Sequence, residues 1–115
     1  MRPLAGGELL DAAVKQLGEN KIIAWMQGRM EFGPRALGNR SILASPLDPY
    51  SSENLNTFIK HREPFRPFAP SVLAEASGEV FASSHPSPFM AHVFLVRPEW
   101  RPRIPAVTHA DTSSS

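Results

Sequence analysis

Between Gly28 and Pro70 the chain reads GRMEFGPRALGNRSILASPLDPYSSENLNTFIKHREPFRPFAP, and six of its twelve lysine and arginine residues fall there. Arg29, Arg35, Arg40, Lys60, Arg62 and Arg66 are interleaved with Gly33-Pro34, Gly38, Pro64, Pro67 and Pro70, opposed only by Glu31, Asp48, Glu53 and Glu63. Proline fixes φ and glycine reaches conformations closed to other residues, so the backbone is specified at positions where a surface loop would be loose. Cations on such a frame suit an anion pocket. Arginine meets a phosphate or carboxylate with a planar fork of donors, and lysine adds a mobile point charge. Backbone N–H groups near Gly33 and Gly38 could approach the same oxygens, as helix N-termini and nests do, with Ser41 adding a hydroxyl. A structural alternative stays open. Arg35 and Arg40 could pair with Glu31 and Asp48, and Lys60 and Arg62 could complement a helix C-terminus. For Arg29 that alternative is preferred.

The elements that must position these residues are short. Leu9, Leu10, Ala13, Val14 and Leu17 recur at helical spacing from Glu8, and Gly18 stands where a helix would end, which predicts a covering helix. Lys21–Gln27 is an apolar run closed by Gly28 and reads as a buried strand. Pro34 and Gly38 bracket a single predicted helical turn, and Ser41–Ala44 reads as a second strand, so the first basic motif lies between two strands. Ser51 or Ser52 is expected to cap a helix with Leu55, Phe58 and Ile59 on its apolar face, ending before Pro64. Lys60 and Arg62 then fall in its last turn. Ser71–Ala74 reads as a strand, and Phe89–Val96 has the clearest strand character in the chain. Closely spaced prolines after Arg97 exclude regular helix and most central pairing, so residues 97–115 are expected to form a loosely ordered tail. The fold class expected is α/β (α+β), a sandwich of short strands with two main helices in one domain spanning residues 1–115.

Composition narrows the function classes. A hydrophobic share of 42% with 20% charged residues is that of a globular chain, and twelve prolines are about twice ordinary usage. No apolar run approaches the roughly 20 residues that span a bilayer, and the N-terminus lacks the apolar core of a signal peptide, so a cytoplasmic location is expected. The absence of cysteine excludes disulfides and thiolate zinc sites. With a net charge of +1 the basic residues are local, favouring a small anion over a nucleic-acid backbone. His61, His85, His92 and His109 lack ligand spacing, so no protein-ligated metal is expected, and His92 reads as a partly buried, hydrogen-bonded strand residue. Trp25, Phe65, Phe68, Phe89 and Phe94 read as core, with Phe65 or Phe68 the one aromatic residue expected near a ligand.

The two long motifs, Glu31-Phe-Gly-Pro-Arg-Ala-Leu-Gly-Asn-Arg-Ser41 and Lys60-His-Arg-Glu-Pro-Phe-Arg-Pro-Phe-Ala-Pro70, resemble the C-terminal domain of the O-carbamoyltransferases. That family includes nodulation-factor, cephamycin and tobramycin carbamoyltransferases, and the resemblance extends over roughly residues 8–110. It implies a YrdC-like domain that binds carbamoyl phosphate and ATP with Mg²⁺ and forms a carbamoyl adenylate, which a separate N-terminal domain passes to a hydroxyl acceptor. The residue match carries Arg35, Arg40 and Ser41 to the first motif and Lys60, Arg62 and Arg66 to the second, as substrate and nucleotide contacts sharing one pocket. Family members tend to read Asp-Gly-Thr-Ala-Arg soon after the histidine that matches His109, where this chain reads Ala110-Asp-Thr-Ser-Ser-Ser115. A domain incomplete at its C-terminus is therefore expected, unable alone to transfer a carbamoyl group and inclined to self-associate. Two further readings are a non-catalytic anion-binding or interaction module and, less favoured by the charge, an RNA-binding groove whose salt slope would reveal it.

Overall fold

Helix α1, Gly6–Gly18, begins where Glu8 reaches back to the Ala5 N–H, its Oε2 accepting at 3.4 Å. This is a computed structural model describing residues 4–83 and 85–114. Gly18 does not end the helix by turning left-handed. Asn20 does so, with φ of 59°, while Asn20 N–H donates to Leu17 O at 3.0 Å and Lys21 N–H to Gln16 O at 3.0 Å. These are the paired bonds of a Schellman cap, and a short polar side chain is what tolerates that conformation there. The helix does not cover a core among the described residues. None of its residues is buried, and Val14 is 70% exposed.

Two compact units divide the chain, Met1–Ser45 and Pro46–Ser115. In the first, strands β1 (Ile23–Met26) and β2 (Arg40–Leu43) pair antiparallel in the register Ile23 with Leu43 through Met26 with Arg40. The ladder is extended by Gln27 N–H donating to Asn39 O at 3.0 Å. Both strands were expected, but the helical turn between them is not formed. The connection is a series of bends using Gly33 at φ 143° and Gly38 at φ 114°, values that a side chain would strain.

In the second unit, helix α2 (Ser51–Asn54) runs on without a break into a π-helical turn, Leu55–Ile59. Its N-terminus is held by Asp48 and not by a serine cap. Asp48 Oδ1 accepts from Tyr50 N–H at 3.0 Å and Oδ2 from the Ser51 hydroxyl at 3.4 Å. Leu55 is buried as expected, whereas Phe58 is 67% exposed, because the wider turn rotates the following residues off the α-helical face. Where Ser71–Ala74 was expected as a strand, the chain instead coils into a 3₁₀ turn, Ala74–Ala76, and helix α3, Ser77–Val80, with the Ser77 hydroxyl donating to Ala74 O at 2.9 Å. The long Phe89–Val96 strand shrinks to β3, Phe94–Leu95. A turn over 88–90 with Met90 at φ 56° breaks the run, and Val96 forms an isolated bridge to Phe81.

The expected loose tail takes part in the core. Residues Pro105–Val107 form a 3₁₀ turn, and β4, Ser113–Ser114, pairs antiparallel with β3. Val80, Phe81, Val96, Ile104 and Val107 form the buried cluster, with Phe68, Val72, Phe94 and Trp100 packed against it. Prolines are compatible with this because they sit in turns whose polar groups are met by side chains. Arg97 Nε donates to Gly78 O at 2.8 Å, Arg101 Nε to Val96 O at 3.0 Å, and Ser114 Oγ to Val107 O at 2.6 Å. The chain is thus α+β, with three α-helices and two small sheets among the described residues. No helix among the described residues is long and apolar enough to cross a membrane.

Candidate functional site

The first motif is organised around one carboxylate. Glu31 Oε1 accepts the N–H groups of Leu37 and Asn39, each at 2.8 Å, while Oε2 lies 3.5 Å from Arg40 Nε. Arg40 also donates through Nη2 to Gly33 O. Asn39 ties the other side of the loop, donating to Arg29 O at 2.8 Å and accepting from Gln27 at 3.3 Å. The backbone N–H of Asn39, followed by other contacts including Leu37 N–H and the Arg40 charge, holds the Glu31 carboxyl below the usual carboxylate range. Ser41, at the head of β2, accepts from Gly38 N–H at 3.0 Å.

These contacts separate the predicted residues of this motif. Arg40 has the Glu31 partner that the structural alternative gave it, and Asp48 is engaged at the start of α2. Arg35 is exposed and makes no hydrogen bond or ion pair with another described residue. Its fork remains available in the loop that Glu31 stiffens.

The second motif is organised around Asn56, which sequence reasoning passed over. Fully buried, it donates through Nδ2 to Pro64 O at 3.2 Å and Arg66 O at 3.0 Å, and its Oδ1 accepts from Arg62 Nε at 2.7 Å. The Arg62 guanidinium also lies 4.8 Å from the centre of the Phe68 ring. Lys60 closes the π-turn through its backbone, donating to Leu55 O at 2.8 Å, and His61 turns left-handed at φ 49°. The Lys60 side chain is exposed and without a partner among the described residues. Among the described residues the Arg66 side chain has only an exposed contact with Glu63 at 3.9 Å, of a kind worth little. In the sequence Asn56 stands among the polar residues Ser52, Glu53, Asn54 and Thr57, so its type alone does not mark it for burial, and a buried amide is kept where it satisfies backbone groups.

Arg66 borders a cavity of about 550 Å³ within this unit, together with Ser52, Phe65, Thr108, His109 and Asp111. Phe65 is thus the motif aromatic beside a cavity, while Phe68 lies against the core under Arg62. Of the other histidines, His85 bonds the Ser83 hydroxyl at 2.9 Å, and His92, expected inside a strand, is exposed and stacks on Phe94 with ring centres 6.2 Å apart. Among the described residues no three His, Asp or Glu side chains cluster as metal ligands.

The sequence matches the carbamoyltransferase C-terminus family over residues 14–115, and the chain belongs to that family. It is 46% identical to the nodulation protein NolNO of Sinorhizobium fredii over 107 residues, 90% of this chain and 16% of that protein. It is 45% identical to nodulation protein U of Rhizobium tropici over 98 residues, 85% of this chain and 17% of that protein. An uncharacterized protein of Methanocaldococcus jannaschii is 44% identical over 101 residues, 88% of this chain and 17% of its own length. The chain therefore spans under a fifth of these relatives.

Proposed function

We propose that this carbamoyltransferase-related domain binds carbamoyl phosphate and ATP and supports formation of carbamoyl adenylate: water releases orthophosphate from carbamoyl phosphate to leave carbamate, whose oxygen then attacks the α-phosphorus of ATP and displaces pyrophosphate. The observation that supports this reading is that, among the described residues, Arg35, Lys60 and Arg66 keep their cationic groups free or weakly engaged, while Glu31 and Asn56 spend their hydrogen bonds on fixing the loops that bear them. Phosphoryl and adenylyl transfer rest on positioning and charge neutralisation more than on a side-chain nucleophile, so cations held on stiff loops suit the task. Arg40 and Arg62 serve as struts that also contribute positive potential. Mg²⁺ would arrive on the nucleotide phosphates, which supply its oxygen ligands. Passing the carbamoyl group to a hydroxyl acceptor would fall to further parts of a full-length protein.

Calorimetric titration of the chain with carbamoyl phosphate and with ATP and Mg²⁺ tests binding, and pyrophosphate release on wild type and Arg35→Ala tests the partial reaction. Lys60→Ala is expected to weaken carbamoyl phosphate binding by about 1.5–3 kcal/mol, the size of one charge-assisted hydrogen bond. Unchanged affinity would confine Lys60 to its place at the end of the π-turn.

A second reading, an interaction module, is favoured by the apolar face of α1, where Leu9, Leu10 and Val14 are all exposed. Apolar patches of a few hundred Å² on a surface mark contacts with another protein. Sedimentation showing self-association that Leu10→Glu and Val14→Glu abolish would support it, and a monomer at micromolar concentration would remove it.

A further inference from the structure

His109 stands outside both basic motifs, yet it shares the cavity with Arg66 and has a defined hydrogen-bond direction. Ser113 Oγ lies 2.5 Å from Asp111 Oδ1 and 3.3 Å from His109 Nδ1. Asp111 Oδ1 also accepts from Ser113 N–H at 3.0 Å. The Ser113 hydroxyl, then its N–H, hold the Asp111 carboxyl below the usual range, so at neutral pH it is ionised and only accepts. A hydroxyl has one proton, and Ser113 gives it to Asp111. His109 Nδ1 must therefore be the donor to Ser113, which in the neutral ring leaves Nε2 as a bare acceptor. The backbone enforces the arrangement, since His109 N–H donates to Ser113 O at 2.8 Å and Thr112 N–H to His109 O at 2.9 Å. Thr112 takes φ of 68° to close this turn, an uncommon conformation for a β-branched residue. Nε2 is shielded from solvent and has no hydrogen-bond partner among the described residues.

A buried acceptor without a donor is costly, and here it belongs to a residue lining a cavity that the cation Arg66 also lines. A phosphate oxygen is the wrong partner for a lone pair. An N–H group beside a phosphate is the right one, and carbamoyl phosphate carries both in one small molecule. We propose that His109 is a specificity-determining residue of this cavity, its Nε2, covered in the free chain, being uncovered as the ligand seats and then accepting a hydrogen bond from the carbamoyl amino group of a ligand whose phosphate is met by Arg66, with Ser113 and Asp111 as positioning residues that fix the tautomer. The inference rests on the proposed binding of carbamoyl phosphate and adds to it the basis for telling that ligand from an acyl phosphate. Acetyl phosphate replaces the amino group by a methyl of similar size and leaves Nε2 unpaired. Sites built around a hydrogen bond reject analogues that lack it far more strongly than apolar pockets reject a size change.

Affinities of the chain for carbamoyl phosphate and acetyl phosphate, measured by calorimetry, give the test. Wild type is expected to bind carbamoyl phosphate at least about tenfold more tightly, the weight of one buried hydrogen bond. His109→Phe is expected to bring the ratio to about one while acetyl phosphate affinity stays within about twofold. Asp111→Asn should reduce the ratio without removing binding. A readout needing no variant is the ¹⁵N spectrum of the imidazole, in which His109 should show the Nδ1–H tautomer in the free chain and a shift of Nε2 with carbamoyl phosphate but not with acetyl phosphate. Equal affinities in wild type, an unshifted Nε2, or selectivity retained by His109→Phe would each overturn this inference while leaving carbamoyl phosphate binding in place. Failure of wild type to bind either compound would overturn the proposed function and this inference together.

Discussion

Asn56→Ala is expected to lower the unfolding free energy of the second unit by about 2–4 kcal/mol, one of the larger effects available to a single polar side chain. The side chain is fully buried and satisfies three separate groups, the carbonyls of Pro64 and Arg66 and the Nε of Arg62. Truncation leaves all three without that partner, and an orphaned buried polar group costs about 1–3 kcal/mol. The amide orientation follows from the partners, because exchanging its oxygen and nitrogen would set an NH₂ against a guanidinium and an oxygen against two carbonyls. Asn56→Asp retains the acceptor for Arg62 but places a carboxylate against the two carbonyls, so it should fall at or below the alanine variant despite its nearly equal size. Urea unfolding should show a lower midpoint with an unchanged slope. Loss of less than about 1 kcal/mol would mean that water replaces the amide and that the loop over 60–70 is held by its prolines alone.

The basic motifs were legible because glycine, proline and arginine declare their backbone and charge roles individually. Arg35, Arg40, Ser41, Lys60, Arg62 and Arg66 were all named from residue type. Which cation stays available and which becomes a strut was not legible, since that depends on where Glu31 and Asn56 point after the loops close. The β1–β2 hairpin followed from two apolar runs around a turn-rich segment, and α1 from its 3.6-residue period. The misreadings share one physical cause. Ser71–Ala74 and Phe89–Val96 are short apolar stretches whose local preference for strand was outweighed by packing, with Val72 and Phe94 partly buried against the Val96 cluster from irregular backbone or a two-residue strand. The same competition explains the residues after Arg97. Their prolines exclude long elements but not turns, and Ile104 and Val107 supply the apolar contacts that order them. The hydrogen bonds of His109 were not legible because its partners, Asp111 and Ser113, sit in a tail that reads as polar and loose until β4 pairs with β3.

Glu31→Ala is expected to release the loop between β1 and β2, raising the exchange rates of the Leu37 and Asn39 amides by about tenfold or more while the strand amides change less. Both amides donate to one oxygen, from six and eight residues away, so this side chain does the closing that a helical turn was expected to do. Gly33 and Gly38 permit the path, but their conformational freedom makes it costly to hold without such a tie. The pH dependence has a definite sign. Bonds from the Asn39 and Leu37 amides, with the Arg40 charge, lower the Glu31 pKa in the folded chain from its ordinary value of about 4.5. A group whose folded pKa is depressed gives stability that is fully present above the unfolded value and is lost as pH falls through the folded one. Protection of Leu37 and Asn39, corrected for intrinsic exchange, should thus be constant at neutral pH, begin to decline below about pH 4.5, and disappear in stronger acid. Glu31→Gln retains an oxygen acceptor but not the charge, so it should keep part of the protection at neutral pH and show no decline over that range. Coincident pH profiles for wild type and Glu31→Gln would show that another group governs the loop. If the proposed function is right, Glu31→Ala should also weaken anion binding through Arg35, because an untethered loop must be ordered at the moment of binding.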